Sequence, residues 1–93
     1  MSKGLREKTD QYEEMLSVAC HGASVAPTSE NERRAAAREC LEMATAYLED
    51  GRYFRDEKDL PNALAAFAYG HGWLDAGIRV GLLVEESTSS DKP

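Results

Sequence analysis

The chain has 93 residues and a formal net charge of -6, from 17 acidic and 11 basic side chains, and 42% of its residues are hydrophobic. A chain of this length buries one small core, which excludes a multidomain machine. The acid excess argues against a nucleic-acid partner, because binding to phosphate backbones needs clustered lysine and arginine. No run approaches the roughly 18 apolar residues of a membrane span, and charged residues stand where a signal peptide would be apolar. We therefore expect a cytoplasmic protein that binds neither membrane nor nucleic acid.

The two cysteines, Cys20 and Cys40, are too few for a disulfide framework. They also lack the closely spaced Cys or His partners of a zinc site. Each lies on or beside an apolar helical stripe, where a free cysteine behaves as a small buried hydrophobe. We therefore predict two reduced thiols, no bound metal and no cofactor.

The first predicted helix covers about residues 3–20 and ends at His21 and Gly22. Turn-forming residues then make a connector from Gly22 to Ser29. Ser29 and Glu32 have the spacing of a capping box, which predicts that the next helix starts here. The apolar residues of the first helix have the spacing of a single face and are Leu5, Tyr12, Leu16 and Ala19.

The second predicted helix covers about residues 30–57. Gly51 lies inside it, and the apolar residues keep their phase beyond it, so we predict one continuous helix. A kink or break at Gly51 is the main alternative. Asp59 is the expected N-cap of the third helix, with Pro61 in the first turn, where the missing amide costs little. The apolar stripe of the second helix consists of Ala37, Cys40, Leu41, Ala44, Tyr47, Leu48, Gly51 and Phe54.

The third predicted helix covers about residues 60–84, and Asp75 and Arg79 are its only charged residues. It is apolar over far more than the roughly 100° stripe of a helix that packs on one side, so we expect two covered sides. A row of small residues, which would let a neighbouring helix come close, consists of Ala63, Gly70, Gly77 and Gly81. One apolar row consists of Leu60, Leu64, Phe67, Leu74, Ile78 and Leu82, and a second consists of Tyr69, Trp73, Ala76, Val80 and Val84.

Two interpretations of the second row remain open. Either Tyr69 and Trp73 lie in the core, or the row is an exposed patch that binds another subunit or a partner protein. Exposed apolar patches with Trp or Tyr anchors are typical of interfaces, and the first two helices are too small to cover both rows. We favour the second interpretation and predict an interface formed by Tyr69, Trp73, Val80 and Val84.

Together these elements predict an all-α fold, an up-and-down three-helix bundle, in a single domain over residues 1–86. Residues 87–93 are polar, with no apolar side chain to bury, and we expect a disordered tail.

A polar ladder on the third helix is the best candidate for chemistry. His71, Asp75 and Arg79 follow each other at i,i+4 spacing, so Asp75 could accept hydrogen bonds from both neighbours. A carboxylate-oriented histidine can act as a general base or a metal ligand. The same ladder can also be purely structural, and no nucleophile or third metal ligand is fixed by spacing. The sequence therefore favours a non-catalytic interaction or self-association module, with a small-ligand or enzymatic site at His71 and Asp75 as the alternative.

Two segments, YLEDGRYF at residues 47–54 and ALAAFAYGHGWLDAG at residues 63–77, carry a resemblance to a known family. They resemble the archaeal domain-of-unknown-function family 357. The resemblance implies a closed three-helix bundle of archaeal, cytoplasmic origin, with no established activity, cofactor or substrate. The family pattern falls on Tyr47, Gly51, Tyr69, His71, Gly72, Leu74 and Asp75.

Overall fold

A computed structural model describes residues 2–85, with the backbone alone for Ser2 and Lys3. The predicted tail at residues 87–93 lies outside this range. The all-α three-helix class is confirmed, with a two-stranded antiparallel sheet added to it. The elements in chain order are α1 (Ser2–Gly22), β1 (Ala23–Val25), α2 (Asn31–Asp56), α3 (Leu60–Arg79) and β2 (Leu83–Glu85).

The core is shared by all three helices and by β2. Gly51 of α2 is buried, and a Cβ atom added there would overlap the ring of Phe67 on α3. This contact explains why a glycine stands inside α2, and the helix runs through it without a break, as predicted. The buried residues of the core cluster are Leu16, Ala37, Cys40, Ala44, Leu48, Ala63, Phe67, Leu74 and Leu83.

Two glycines of the predicted small row do lie against neighbouring elements. A Cβ atom at Gly70 would stand 2.6 Å from Cδ2 of Leu16, and one at Gly77 would stand 2.7 Å from Cδ1 of Leu83. The third glycine was placed wrongly, because Gly81 is exposed and lies beyond the helix with a φ of 86°.

The predicted end of α3 at Val84 is also wrong, because the helix ends at Arg79. The Leu82 amide donates to the Gly77 carbonyl at 2.8 Å, and the Gly81 amide donates to the Ile78 carbonyl at 3.1 Å. This is the Schellman pattern, with glycine in the left-handed conformation that it adopts without strain. The chain then turns back, and β2 pairs with β1, placing Val84 opposite Ser24.

The connector between α1 and α2 differs from the prediction in two ways. Part of it is the strand β1, which was expected to be irregular. The capping box is absent, since the N-cap of α2 is Glu30 and makes no side-chain cap hydrogen bond. Instead, the segment is fixed by the Ala26 amide, which donates to the Leu82 carbonyl at 2.9 Å, and by Arg34, which donates to the Thr28 carbonyl at 2.6 Å.

The start of α3 follows the prediction. Asp59 is the N-cap, and its side chain accepts a hydrogen bond of 3.3 Å from the Asn62 amide. Pro61 stands in the first turn, where an amide has no helical partner. Within residues 2–85, no helix combines the length and the apolar character needed to cross a bilayer.

Candidate interaction surface

Three large side chains, two on α3 and one at its C-cap, are exposed to solvent on one side of the helix. Tyr69 is 65% exposed, Trp73 37% and Val80 63%. Their spacing keeps them together on the helix, while the buried residues Phe67 and Leu74 point to the core. The interpretation that placed Tyr69 and Trp73 in the core is therefore wrong.

Val84 was predicted to extend this row, but it does not lie on α3. It is exposed on β2, after the turn at Gly81. Leu83, the residue before it, points inward and is buried, as expected from the alternation of side chains along a strand. The predicted row therefore ends at Val80, the C-cap residue of α3.

Tyr69 is held against α2 by a second aromatic ring. The ring centroids of Tyr47 and Tyr69 are 5.6 Å apart, and the rings are tilted by 36°. Aromatic pairs at this separation stabilise each other. Because Tyr47 is half-buried, it restricts the orientation of the more exposed Tyr69. We call the surface formed by Tyr47, Tyr69, Trp73 and Val80 the aromatic face.

Small exposed residues lie on α3 beside the aromatic face. Ala68, Gly72 and Ala76 follow each other at i,i+4 spacing, and all three are exposed. A Cβ atom at Gly72 would meet nothing within 4 Å, so no contact with the described part of the chain requires a glycine there. Glycine is about 1 kcal/mol less favourable than alanine in a helix interior. The i,i+4 spacing of these three residues is visible in the sequence, but their exposure is not.

The exposed surface of α3 carries no net charge. Its two charged residues neutralise each other, since Nε of Arg79 donates to Oδ2 of Asp75 at 3.0 Å. By comparison, α2 carries six acidic and five basic side chains, and its acidic residues include the exposed Glu39, Glu42 and Glu49. The net charge of -6 therefore lies on the rest of the chain and not on α3.

Only half of the predicted polar ladder is present. Asp75 bonds to Arg79, and within residues 2–85 it makes no hydrogen bond to His71. Nε2 of His71 is buried, and no group within residues 2–85 forms a hydrogen bond with it. His71 faces a groove of about 370 Å³ against α1, which Asp75 does not line; the other lining residues are Glu14, Met15, Val18, Ala19, Gly22 and Glu85.

The positions of the family pattern fall into two groups. Gly51 and Leu74 are buried and hold α2 and α3 together. The others lie on or near the surface of the α2–α3 pair, and they are Tyr47, Tyr69, His71, Gly72 and Asp75.

Both cysteines are free thiols, as predicted. Cys40 is buried in the core, and Cys20 is partly exposed. Burial raises the pKa of the Cys20 thiol above 9.0, although a hydrogen bond with Thr45 and the charge of Arg52 act in the opposite direction. Among the residues that the structure describes, no group of three or more His, Cys, Asp or Glu side chains is arranged to hold a metal ion.

One of the comparisons with known proteins gives a match. The profile of a family described as "Protein of unknown function (DUF357)" matches residues 11–83, a span that includes most of α1, all of α2 and α3, and the aromatic face. Neither the curated proteins nor the solved structures contain a significant match. Because the match covers well over half of the sequence, the chain belongs to the DUF357 family of proteins of unknown function.

Proposed function

We propose that this protein is a non-catalytic module that binds another polypeptide chain through the aromatic face. The observation that carries the proposal is the exposure of Tyr69 and Trp73 on α3 and of Val80 at its C-cap, all on one side of the helix. Exposed Trp and Tyr side chains on a rigid helix bury large apolar areas on binding and lose little conformational entropy. A contiguous apolar surface of this kind is typical of an interface.

If the partner is a second copy of the chain, the exposed side of α3 is the surface where the charges oppose association least. Two chains of net charge -6 repel each other, most strongly where acidic surfaces meet. The exposed side of α3 avoids this repulsion, because its acid and base, Asp75 and Arg79, are paired. The small side chains at Ala68, Gly72 and Ala76 would also let a facing helix approach closely.

The alternative, a small-ligand or enzymatic site at His71 and Asp75, has less support. A shared site requires both side chains to reach one cavity. His71 lines the groove against α1, while Asp75 is exposed and bonded to Arg79. The geometry thus separates the two residues that this alternative needs together.

We also propose a cytoplasmic location. The free thiols of Cys20 and Cys40 suit a reducing compartment, since paired cysteines are typical of oxidising ones.

Sedimentation equilibrium at micromolar concentration tests the association. The wild type should sediment as a dimer and the Trp73→Glu variant as a monomer, because a buried carboxylate without a partner is costly at an interface. Tyr53→Glu is the matched control: Tyr53 is an exposed aromatic residue on α2, outside the aromatic face, and its substitution should leave the dimer intact.

A monomeric wild type would end the self-association version of the proposal. A photo-reactive phenylalanine analogue at position 69, with position 53 as control, would then test a different protein partner in cells. Equal cross-linking from both positions, or none, would contradict the whole proposal.

A further inference from the structure

A second candidate site lies at the end of the bundle where α2 turns into α3. A cavity of about 390 Å³ opens there, within the range of about 300–1,000 Å³ that is usual for small-molecule sites. It uses no residue of the aromatic face. Three separate segments form its walls, namely the first half of α1, the end of α2 and the turn before α3. The lining residues are Arg6, Asp10, Arg55, Lys58 and Leu60.

The charge of this cavity is opposite to that of the protein. Three of its five lining residues are basic, in a chain whose net charge is -6. Arg55 is already neutralised, because its Nη1 atom lies 3.0 Å from Oδ1 of Asp10 and also pairs with Glu13. Glu13 in turn accepts a hydrogen bond of 2.6 Å from Nε of Arg52. The carboxylate of Asp10 in the cavity is therefore compensated by Arg55.

The other two cationic side chains that line the cavity are those of Arg6 and Lys58. Within residues 2–85, Arg6 and Lys58 form no ion pair with any carboxylate, and both side chains are exposed. Because Arg6 belongs to α1 and Lys58 to the α2–α3 turn, the fold brings together two charges that are far apart in the sequence. The cavity therefore has two cations available for an anionic ligand.

The backbone at Lys58 is unusual for a lysine. Its φ is 66°, in the left-handed region where glycine is the common residue. The Asp59 amide donates to the Phe54 carbonyl at 2.8 Å, and the Lys58 amide donates to the Arg55 carbonyl at 2.9 Å, so the turn is a Schellman motif. A glycine would relieve the backbone but would remove one of the two free charges. A lysine here therefore keeps a positive charge beside the cavity at the expense of a less favourable backbone conformation.

We propose that this cavity binds the dianionic phosphate group of a small phosphate monoester. Arg6 would supply planar N–H donors and Lys58 a compact point charge, which are the two common partners of phosphate oxygens. Two positive charges match the two negative charges of a monoester above its second pKa of about 6. Leu60, the apolar residue of the lining, offers a contact for the organic part of the ligand.

A titration with phenyl phosphate at pH 7.5 and constant ionic strength tests the proposal, followed by ¹H–¹⁵N NMR of the full chain. The amide signals of Arg6, Lys58 and Leu60 should shift and saturate. Arg6→Gln and Lys58→Asn should each weaken binding by about tenfold, the expected loss for one charged hydrogen bond. Asparagine tolerates the left-handed backbone, so the second variant removes the charge without adding strain.

Arg38→Gln is the matched control, since Arg38 is an exposed arginine of α2, 17 positions before Arg55, and should leave binding unchanged. Arg6→Lys and Lys58→Arg keep the charge and should retain most of the affinity. Shifts that do not saturate, equal shifts with phenol, or wild-type affinity in the Arg6→Gln/Lys58→Asn double variant would overturn the proposal.

Discussion

Leu83 of β2 occupies the space that a side chain at Gly77 of α3 would need, with its Cδ1 atom 2.7 Å from the ideal Cβ position. The Sγ atom of Cys40 lies 3.4 Å from the same position. Gly77 is therefore enclosed by β2 on one side and α2 on the other, although it is surrounded in sequence by helix-forming residues. The absence of a side chain at this point lets β2 fold back onto the helix.

The Gly77→Leu variant should be strongly destabilised. Overpacking of a core costs about 1–3 kcal/mol, which exceeds the gain of nearly 1 kcal/mol in helix propensity. Urea unfolding measures the balance of the two effects. A midpoint equal to or above that of the wild type would mean that Leu83 and Cys40 do not enclose this position.

Replacement of glycine by alanine should have opposite effects on stability at Gly51 and at Gly72. Gly51→Ala should destabilise the fold by about 1–3 kcal/mol, because its methyl group would overlap the fully buried ring of Phe67. Gly72→Ala, made in the Trp73→Glu background that should be monomeric, should stabilise the fold by about 0.5–1 kcal/mol, since only helix propensity changes at a position that is open in the monomer. Thermal and urea unfolding of both variants provide the measurement, and effects of equal sign would contradict the assignment of the two faces.

The Cys20 thiol should react slowly near neutral pH. Because burial raises its pKa above 9.0, its thiolate fraction at pH 8 should be below that of an unperturbed cysteine. Iodoacetamide labelling, with peptide mass spectrometry to separate Cys20 from Cys40, gives the rate as a function of pH. A labelling rate at pH 8 equal to that of a free cysteine peptide would contradict the prediction.

The same raised pKa has a consequence for stability. The folded protein holds the Cys20 proton more tightly than the unfolded chain does. The contribution of Cys20 to the free energy of unfolding is therefore fully present below pH 9.0 and is lost as pH rises through the folded pKa. Cys20→Ser should remove this part of the pH dependence. Urea unfolding between pH 8 and 10.5 measures it, with Cys40 unchanged in both proteins.

Replacement of His71 by leucine should not destabilise the fold. Nε2 of His71 is buried with no hydrogen-bond partner within residues 2–85, and a buried polar atom in that state costs about 1–3 kcal/mol. The loss of packing area should be offset by removal of this atom. A fall of more than about 2 kcal/mol in the free energy of unfolding would show that His71 makes a stabilising contact, and Arg79→Gln provides an exposed control on the same helix.

The helices were largely predictable from the sequence, but the end of α3 was not. The start of α3 depends on local chemistry at Asp59 and Pro61, which the sequence contains in full. The end of α3 depends on whether Gly81 continues a row of small residues or adopts a positive φ, and both uses of glycine fit the same spacing. The pairing of β1 with β2 decides between them, and such a distant contact is not visible in either segment alone.

The aromatic face was also only partly predictable from the sequence. Helical periodicity places Tyr69, Trp73 and Val80 together, and the short length of the chain favours their exposure. Periodicity also places His71 one turn from Asp75, but it does not fix which rotamer each side chain adopts. In the structure Arg79 holds Asp75, while packing against α1 buries the ring nitrogen of His71.

The β1–β2 ribbon joins segments about 60 residues apart, with Ala23 opposite Glu85, and this has a kinetic consequence. The α2–α3 hairpin is closed by a short local turn, whereas the ribbon needs a long loop to close, which costs entropy before any contact forms. We therefore expect the hairpin to form early in folding and the ribbon late. Weakening the contact of Leu83 with Gly77 should accelerate unfolding and leave the folding rate nearly unchanged.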